Sequence, residues 1–546
     1  FREAEAAKGP WNSHWEDLTR VMYPRRSEFT STHTAGDFRT EDIFDGTPMR
    51  AAIGLRNAIG GLMRPDGQKW IGIKPEDDAL KESPEATEWI NIAQERHADG
   101  INNPKARFRE ATGELDLDLV VLGSGIGFIG EVKELNTLLF QSVHLKDASP
   151  FFGETGQPEG MFRRRSFTIR QALARFEKEK FSDATKRKIE QGRLDEKITI
   201  IHGILPRAEA RRGSILAINL PYADIWIELE SKNVLKEGGF HEFPFIVPKW
   251  DTSSGEDFGR SPGMVALPDA NTLQAMGETI LVAGQRSADP PLMAPNDGAF
   301  DELNTFPGGI SYYDVETAVA VRGNPFFPLD TGQNMPLTRD MQADVRDQVW
   351  AAFFRNVLNL PVSGPQMTAT EVNQRKEEFI REIGPVFGRL ETDYTGPMIE
   401  RSFNIMLRAG AFPPVPEVLQ GRSLRFEYES PVKRIRKQIE SAAARLWALE
   451  MAEMAQAGRP EAMDLINVDS LGRVSAEAAA IPYQVVNTPE QVDEIRSARE
   501  KQQAAQAAQD AAQQNIATAE SGANAMNKLG LSQPPENQSQ DQPPAT

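Results

Sequence analysis

The chain has 546 residues, too many for one ordinary core, so roughly two to four structural regions are expected. Hydrophobic residues make up 40% and charged residues 26% of it, no apolar run approaches the roughly 18 residues that span a bilayer, and cysteine is absent, which excludes disulfides and thiolate metal sites. A formal net charge of -18 argues against a protein that grips nucleic acid over its whole surface, because neutralising phosphates takes clustered Lys and Arg.

The opening FREAEAAKGPWNSHWEDL is charged and helix-like, without the basic start and apolar core of a signal peptide, so export is not expected. Position 1 is Phe rather than Met, which leads to the expectation that the chain starts inside a longer translated product. Trp11, Trp15, Leu18, Val21 and Met22 recur on one helical face that Pro24 ends. Thr47, with Pro48 as the first helical residue, is expected to cap a helix carrying Ile53, Leu55, Ile59 and Leu62. Pro65, Asp66 and Gly67 then turn the chain into the strand-like KWIGIKP.

From about 137 to 250 short alternating runs take over: TLLFQSVHL, KITIIHGIL, SILAINL and DIWIEL are expected strands. The stretch GGFHEFPFIVPKW at 238–250 carries two prolines and is expected at an edge or as an irregular strand. A helix from Pro262 to about Arg286 presents Leu267, Leu273, Met276, Ile280 and Leu281, and Pro290 and Pro291 stop it. A Gly-, Pro- and Asn-rich stretch to about Pro328, containing ISYYDV, reads as a small strand-and-loop insertion. A second helix runs from about Arg339 to Leu358, with Val345, Val349, Trp350, Phe353 and Phe354 as its apolar positions.

The most informative segment of the chain comes directly after that helix. Asn359, Leu360, Pro361, Val362, Ser363, Gly364, Pro365 and Gln366 form an apolar loop, because Pro and Gly cannot continue a helix there. Thr368 or Thr370 can cap the next helix, and Thr368 with Glu371 has capping-box spacing. That helix, Glu371 to Leu407, is expected to kink or break at Gly384-Pro385 and again at Gly396-Pro397. Helices are expected at Pro431 to Met454 and from Pro489 to about Gln514, the latter running into a Gln/Ala-rich stretch. The end, LSQPPENQSQDQPPAT, has a disordered composition, and no repeat of the solenoid kind is visible.

Candidate chemistry is thin. Gly125, Gly127 and Gly130 spell G-x-G-x-x-G, but the order is helix then strand, the reverse of a phosphate-cradling turn. His14, His33, His97, His144, His202 and His241 are scattered singly and read as surface or strand histidines, without the spacing of a metal site. Asp116 and Asp118 in ELDLDL read as a solvated face. The basic clusters Arg163, Arg164, Arg165 and Lys433, Arg434, Arg436, Lys437 could meet phosphates, although a solvated face or a subunit ion pair explains them as well. No catalytic residue, metal or cofactor is expected.

Five stretches in consistent order carry a resemblance. Ile43-Phe44-Asp45-Gly46-Thr47 is followed by Trp70, and Phe243-Pro244-Phe245 by Pro248 and Trp250. Phe258-Gly259-Arg260-Ser261-Pro262 is followed by Asp289-Pro290-Pro291-Leu292, and Thr368-Ala369-Thr370-Glu371-Val372 comes last. The set resembles the portal, or head-to-tail connector, proteins of short-tailed bacteriophages. The resemblance implies an α+β portal fold assembled as a ring, usually of twelve subunits, around an axial channel. It implies an N-terminal helical and α+β wing region at 1–261, stem helices at 262–288 and 336–357, a clip at 289–335 and a channel loop at 358–367. A long kinked wing helix and following strand come at 368–430, a crown at 431–500, and a Gln/Ala-rich helix with a disordered tail at 501–546. The implied work is packaging and ejection of double-stranded DNA at one capsid vertex, with a homo-oligomeric ring, terminase, tail adaptor, and major capsid and scaffolding proteins as partners and no membrane. Assembly in the host cytoplasm and residence in the virion go with it. Alternative readings are a nucleotide-binding enzyme using the glycine run, or another capsid or tail structural protein. An acidic, apolar-looped conduit suits passage of DNA better than capture.

Overall fold

A computed structural model describes residues 1–528 apart from 35, 66–69, 78–79, 81–82, 133–134, 211–215, 297–305, 315–326, 329–334, 356–380, 383, 429–430, 480, 482–484 and 488. The chain is α+β and divides into two compact units, Phe1–Ile439 and Glu440–Thr546.

In chain order the first unit opens with α1 (Arg2–Ala7), α2 (Gly9–Met22), α3 (Thr47–Met63), β1 (Ile71–Pro75), α4 (Pro84–Asn102) and α5 (Phe108–Leu122). Then come β2 (Ile126–Val132), β3 (Thr137–Val143), β4 (Ala148–Phe152), β5 (Pro158–Thr168), α6 (Ile169–Leu173), α7 (Asp183–Glu190), β6 (Lys197–Pro206), β7 (Tyr222–Glu228), β8 (Val234–Phe240) and β9 (Phe245–Ile246). The long α8 (Pro262–Ala288) leads into β10 (Leu292–Asn296), β11 (Ile310–Asp314) and β12 (Phe327–Pro328). After α9 (Met335–Ala352) follow α10 (Gly396–Arg408), β13 (Leu424–Tyr428) and α11 (Pro431–Gln456), which crosses the division between units. The second unit adds α12 (Val468–Ala478) and α13 (Pro489–Lys528).

Strands β4-β5-β6-β7-β8 form an antiparallel meander; β3-β2-β9 and β1-β13 form smaller antiparallel sheets. The proline-bearing 238–250 stretch supplies edges, the end of β8 in one sheet and β9 in another. The described part of SILAINL, 216–220, is no strand: Ala217–Asn219 is a 3-10 turn within the β6–β7 connection, packed against β8 at Gly239. The Glu371–Leu407 helix is continuous where described at its second expected break. Residues 384–390 are helical and run through a π-helical turn, Glu391–Thr395, into α10. Pro397 has no N–H to give, and the widened turn answers this with Gly396 N–H donating to Glu391 O and Thr395 Oγ1 donating to Leu390 O at 3.3 Å.

The largest core joins α2, α3, α5, β2, β3 and α8, with Trp15, Leu18, Ile59, Val120, Ile126 and Leu273 buried in it. Trp15 Nε1 donates to Leu122 O at 3.0 Å, satisfying its one donor inside that core. Lys8, between α1 and α2, is 2% exposed, and its ammonium donates to Leu145 O (2.9 Å), Lys146 O (2.8 Å) and Ala148 O (3.0 Å). Burial pulls its pKa down to about 8, against the pull of Glu5 and Asp147.

The solvated-face reading of Asp116 and Asp118 is wrong. They are 1% and 0% exposed, because α5 is buried on every side by neighbouring elements. Asp116 pairs with Arg64, the residue that ends α3, and accepts from Tyr394 Oη at 3.0 Å. Asp118 pairs with Arg26 at 3.1 Å, and its other oxygen has no partner among the described residues. His97, expected at the surface or in a strand, is a fully buried residue of α4, 2.8 Å from Ser402 Oγ. His202 is the strand histidine expected, on β6, but buried.

Burial pushes the Asp118 carboxyl up to about 7, Glu114 adding to the effect and Arg26 opposing it. The folded chain therefore holds a proton that the unfolded chain releases near 3.8, so this group makes stability fall as pH rises between those values. In urea unfolding at pH 5 and pH 8, Asp118→Asn is expected to lose less stability across the interval than the unsubstituted chain. An equal loss in both would remove Asp118 from the titration.

Candidate functional site

Of the motif stretches singled out in the sequence, 43–47, 243–250, 258–262 and 289–292 lie at the start, flanks and end of α8, while Trp70 packs on Phe108 and Tyr428. At that start, Ser261 caps the helix by accepting from Met264 N at 2.9 Å and donates its own hydroxyl to Val121 O at 2.7 Å. Gly259 N donates to Ser124 Oγ at 2.7 Å, and Trp250 N to Gly123 O at 2.8 Å. Gly123 ends α5 with φ of 81°, and it touches Gly259 backbone to backbone, so that a methyl group on either would overlap the other's carbonyl. Phe258 stands edge-on to Trp15 at 4.9 Å. The glycine run continues this packing: Gly125 lies against Leu115 and Gly127 against Ile246, and the next element is β2 rather than a helix. Those glycines are consumed by close approach, and the phosphate-cradle geometry is absent from them.

The Phe243-Pro244-Phe245 stretch runs alongside. Pro244 O accepts from Ile129 N at 2.9 Å and Pro248 O from Gly125 N at 3.2 Å. At the far end of α8, Asp289 O accepts from Gly308 N at 3.0 Å, and β10 pairs in parallel with β11 and antiparallel with β12.

The Ile43-to-Thr47 stretch clamps α8 to α9. Phe44 N and Asp45 N both donate to Gln274 Oε1, at 2.8 and 2.9 Å, and Gln274 Nε2 returns a bond to Asp45 O at 2.8 Å. The Asp45 carboxylate accepts from Thr47 N at 2.8 Å on one oxygen and from Arg346 Nε of α9 at 2.8 Å on the other. The expected cap is thus corrected: Asp45, not Thr47, satisfies the first donor of α3. Burial alone would raise the Asp45 pKa, but the bonds from Thr47 and Arg346 outweigh it and hold the carboxyl below its ordinary value.

The second helix also differs from its expected length. It ends at Ala352 rather than near Leu358, because Phe354 takes a left-handed φ of 57° with its ring against Trp250. The loop and cap residues Asn359, Leu360, Pro361, Val362, Ser363, Gly364, Gln366, Thr368, Thr370 and Glu371 lie outside the described residues. Their flanks are fixed in one core: Phe353 and Phe354 before them and Val386, Phe387 and Leu390 after them pack with Leu55 and Ile59 of α3.

The basic residues are placed separately. Arg163, Arg164 and Arg165 lie on β5, with Arg164 paired to Glu5 at 2.5 Å. Lys433 of α11 pairs with Glu391 at 2.5 Å. Sequence reasoning missed Asp45 as a junction and the two buried aspartates. The signal for the latter was present: LDLDLVVL is apolar on every face but two positions, and a charge inside such a helix must be paired.

Asp45→Ala is expected to destabilise the folded chain by about 1–3 kcal/mol in denaturant titrations at pH 7, since it strands several donors at once. The carboxylate's contribution in the unsubstituted chain is present above the ordinary Asp pKa and disappears as pH falls below it. Gly123→Ala, which adds both a strained φ and an overlap with Gly259, is expected to cost about 2–4 kcal/mol in the same measurement. A loss under half a kcal/mol in either variant would contradict the contacts described.

The chain is 26% identical over 526 residues to the "Probable portal protein" of Bordetella phage BPP-1, covering 95% of this chain and 92% of that one. It is 28% identical over 511 residues to the "Portal protein" of Salmonella phage epsilon15, covering 91% and 89% respectively. A chain of the "Virion of native gene transfer agent (GTA) particle" superposes with a TM-score of 0.35 at 11% identity, over 84% of this chain and 98% of that one, a likeness too loose to carry weight. The family described as "Bacteriophage head to tail connecting protein" matches residues 1–486, and the chain belongs to that family.

Proposed function

We propose that the chain is a portal subunit: copies of it form the ring at one capsid vertex through which double-stranded DNA is packaged and later ejected. The observation that carries this reading is family membership over residues 1–486, in which the ordered motif stretches bracket the packed pair α8 and α9. In this reading α8 and α9 are the stem, the small sheet β10–β12 belongs to the clip that meets terminase and then the tail adaptor, and 358–367 is the channel loop. The helices after Pro431 form the crown, and 1–261 with 368–430 the wing. Twelve copies are proposed, assembled in the host cytoplasm with scaffolding and major capsid proteins.

Two physical features support a ring. Val265 of α8 is 72% exposed and Leu281 53%, while Met341 of α9 is 52% exposed, apolar surface suited to a neighbouring copy. The clamp at Asp45 and the core shared by Phe353, Phe354, Val386, Phe387 and Leu390 hold both flanks of the loop, as a projecting channel element requires. The competing nucleotide-enzyme reading loses its structural basis with the glycine run buried in packing.

Negative-stain imaging of the purified protein is expected to show rings with a central hole, and monomers at every concentration would overturn the proposal. Replacing Leu360, Pro361 and Val362 by glycine is expected to leave rings intact and to impair DNA packaging or genome retention. Normal packaging and retention in that variant would remove the loop from the mechanism while leaving the ring standing.

A further inference from the structure

A second basic feature lies away from the stem. Between the five-stranded sheet, β2–β3 and α10 is a cavity of about 650 Å³, the size of a small-molecule site rather than of a groove for duplex DNA. Its two arginine-bearing walls differ. On the α10 side, Arg401 and Arg408 share Glu242, at 3.1 and 2.6 Å, and Glu131 lines the cavity and acts on Arg401 as a second carboxylate. On the sheet side, Arg163 and Arg165 project from the same face of β5, and Arg175 joins them from just beyond α6. No carboxylate lies within ion-pairing distance of these three among the described residues, although Asp147 and Asp224 act on them from farther away.

The register places Arg163 opposite His202 on β6, and His202 opposite Trp226 on β7. His202 is 4% exposed; Nε2 bonds Asp224 at 2.7 Å, and Nδ1 has no partner among the described residues. Trp226, 2% exposed, backs the site: the His202 ring stacks on it at 4.0 Å and the Arg175 guanidinium lies 4.2 Å from its centroid. Burial and then the mutual repulsion of Arg163, Arg165 and Arg175 pull the Arg163 pKa down to about 10, against Asp147. Gathering three guanidinium groups without a paired carboxylate beside a buried histidine whose Nδ1 has no partner among the described residues is costly unless an anion occupies the space.

We propose that this cavity binds a small phosphate-bearing anion, with Arg163, Arg165 and Arg175 on its oxygens. Planar guanidinium forks match phosphate oxygens with paired, charge-assisted bonds, and a cavity of about 650 Å³ leaves room for an organic body beside the phosphate. The inference is independent of the portal reading, since it concerns a site in the sheet region of each chain.

The test uses the full chain and inorganic pyrophosphate, titrated calorimetrically at ionic strength held constant with sodium chloride. Saturable binding is expected, weakened about tenfold or more by Arg175→Gln, an exposed position whose substitution leaves the core intact, and abolished by the Arg163→Gln, Arg165→Gln double variant. No saturable heat, or equal affinity in Arg175→Gln, overturns the proposal. Failure of assembled protein to bind pyrophosphate, together with weakened self-assembly of Arg175→Gln, also overturns it, because the occupant would then be a carboxylate of a second copy.

Discussion

Much of this architecture hangs on one backbone-to-backbone contact. Where α5 ends and α8 begins, Gly123 and Gly259 meet without side chains between them, and that closeness lets Trp250, Ser124 and Ser261 each complete a bond across the junction. Nothing larger fits, and no side-chain contact could substitute for it, since the groups being joined are main-chain carbonyls and amides that would otherwise be buried unpaired. The 27-residue α8 is thereby rooted in the core rather than tethered to it.

A second junction ties that helix to its partner. Asp45 accepts from the start of α3 and from α9, while its main chain exchanges bonds with Gln274 of α8, so three helices share one short, extended segment. The arrangement stiffens α8 and α9 as a pair. It suits a family whose members join heads to tails, where an assembly must hold its shape under load.

How far the sequence revealed this depends on what kind of signal each residue leaves. Helical periodicity placed α2, α3, α8 and α9 within a few residues, and alternation placed β3, β6 and β7, because burial on one side imprints a period. The same logic misplaced SILAINL, whose described part turns as a 3-10 segment against β8 instead of pairing with it. It also carried α9 past Ala352, since a left-handed Phe354 leaves no compositional mark. Asp116 and Asp118 were misjudged because their partners, Arg64, Tyr394 and Arg26, are distant in the chain. The glycine run illustrates the opposite case: the helix-then-strand context already excluded a phosphate turn, and only the folded chain reveals Leu115, Ile246 and Gly259 as the reasons for glycine. The basic cavity was half legible, as the triplet Arg163 to Arg165, but Arg175, His202 and Trp226 join it only through strand register.

The buried ammonium of Lys8 has a chemical side. Caged by three carbonyl oxygens, it occupies the role that a small hydrated cation would take in a polar cradle. With its pKa near 8 it would be the most nucleophilic type of lysine at neutral pH, yet it is among the least reachable. Acylation of this one amine is therefore a clock for the detachment of the first helices: the reagent can react only during the moments when the cage is open.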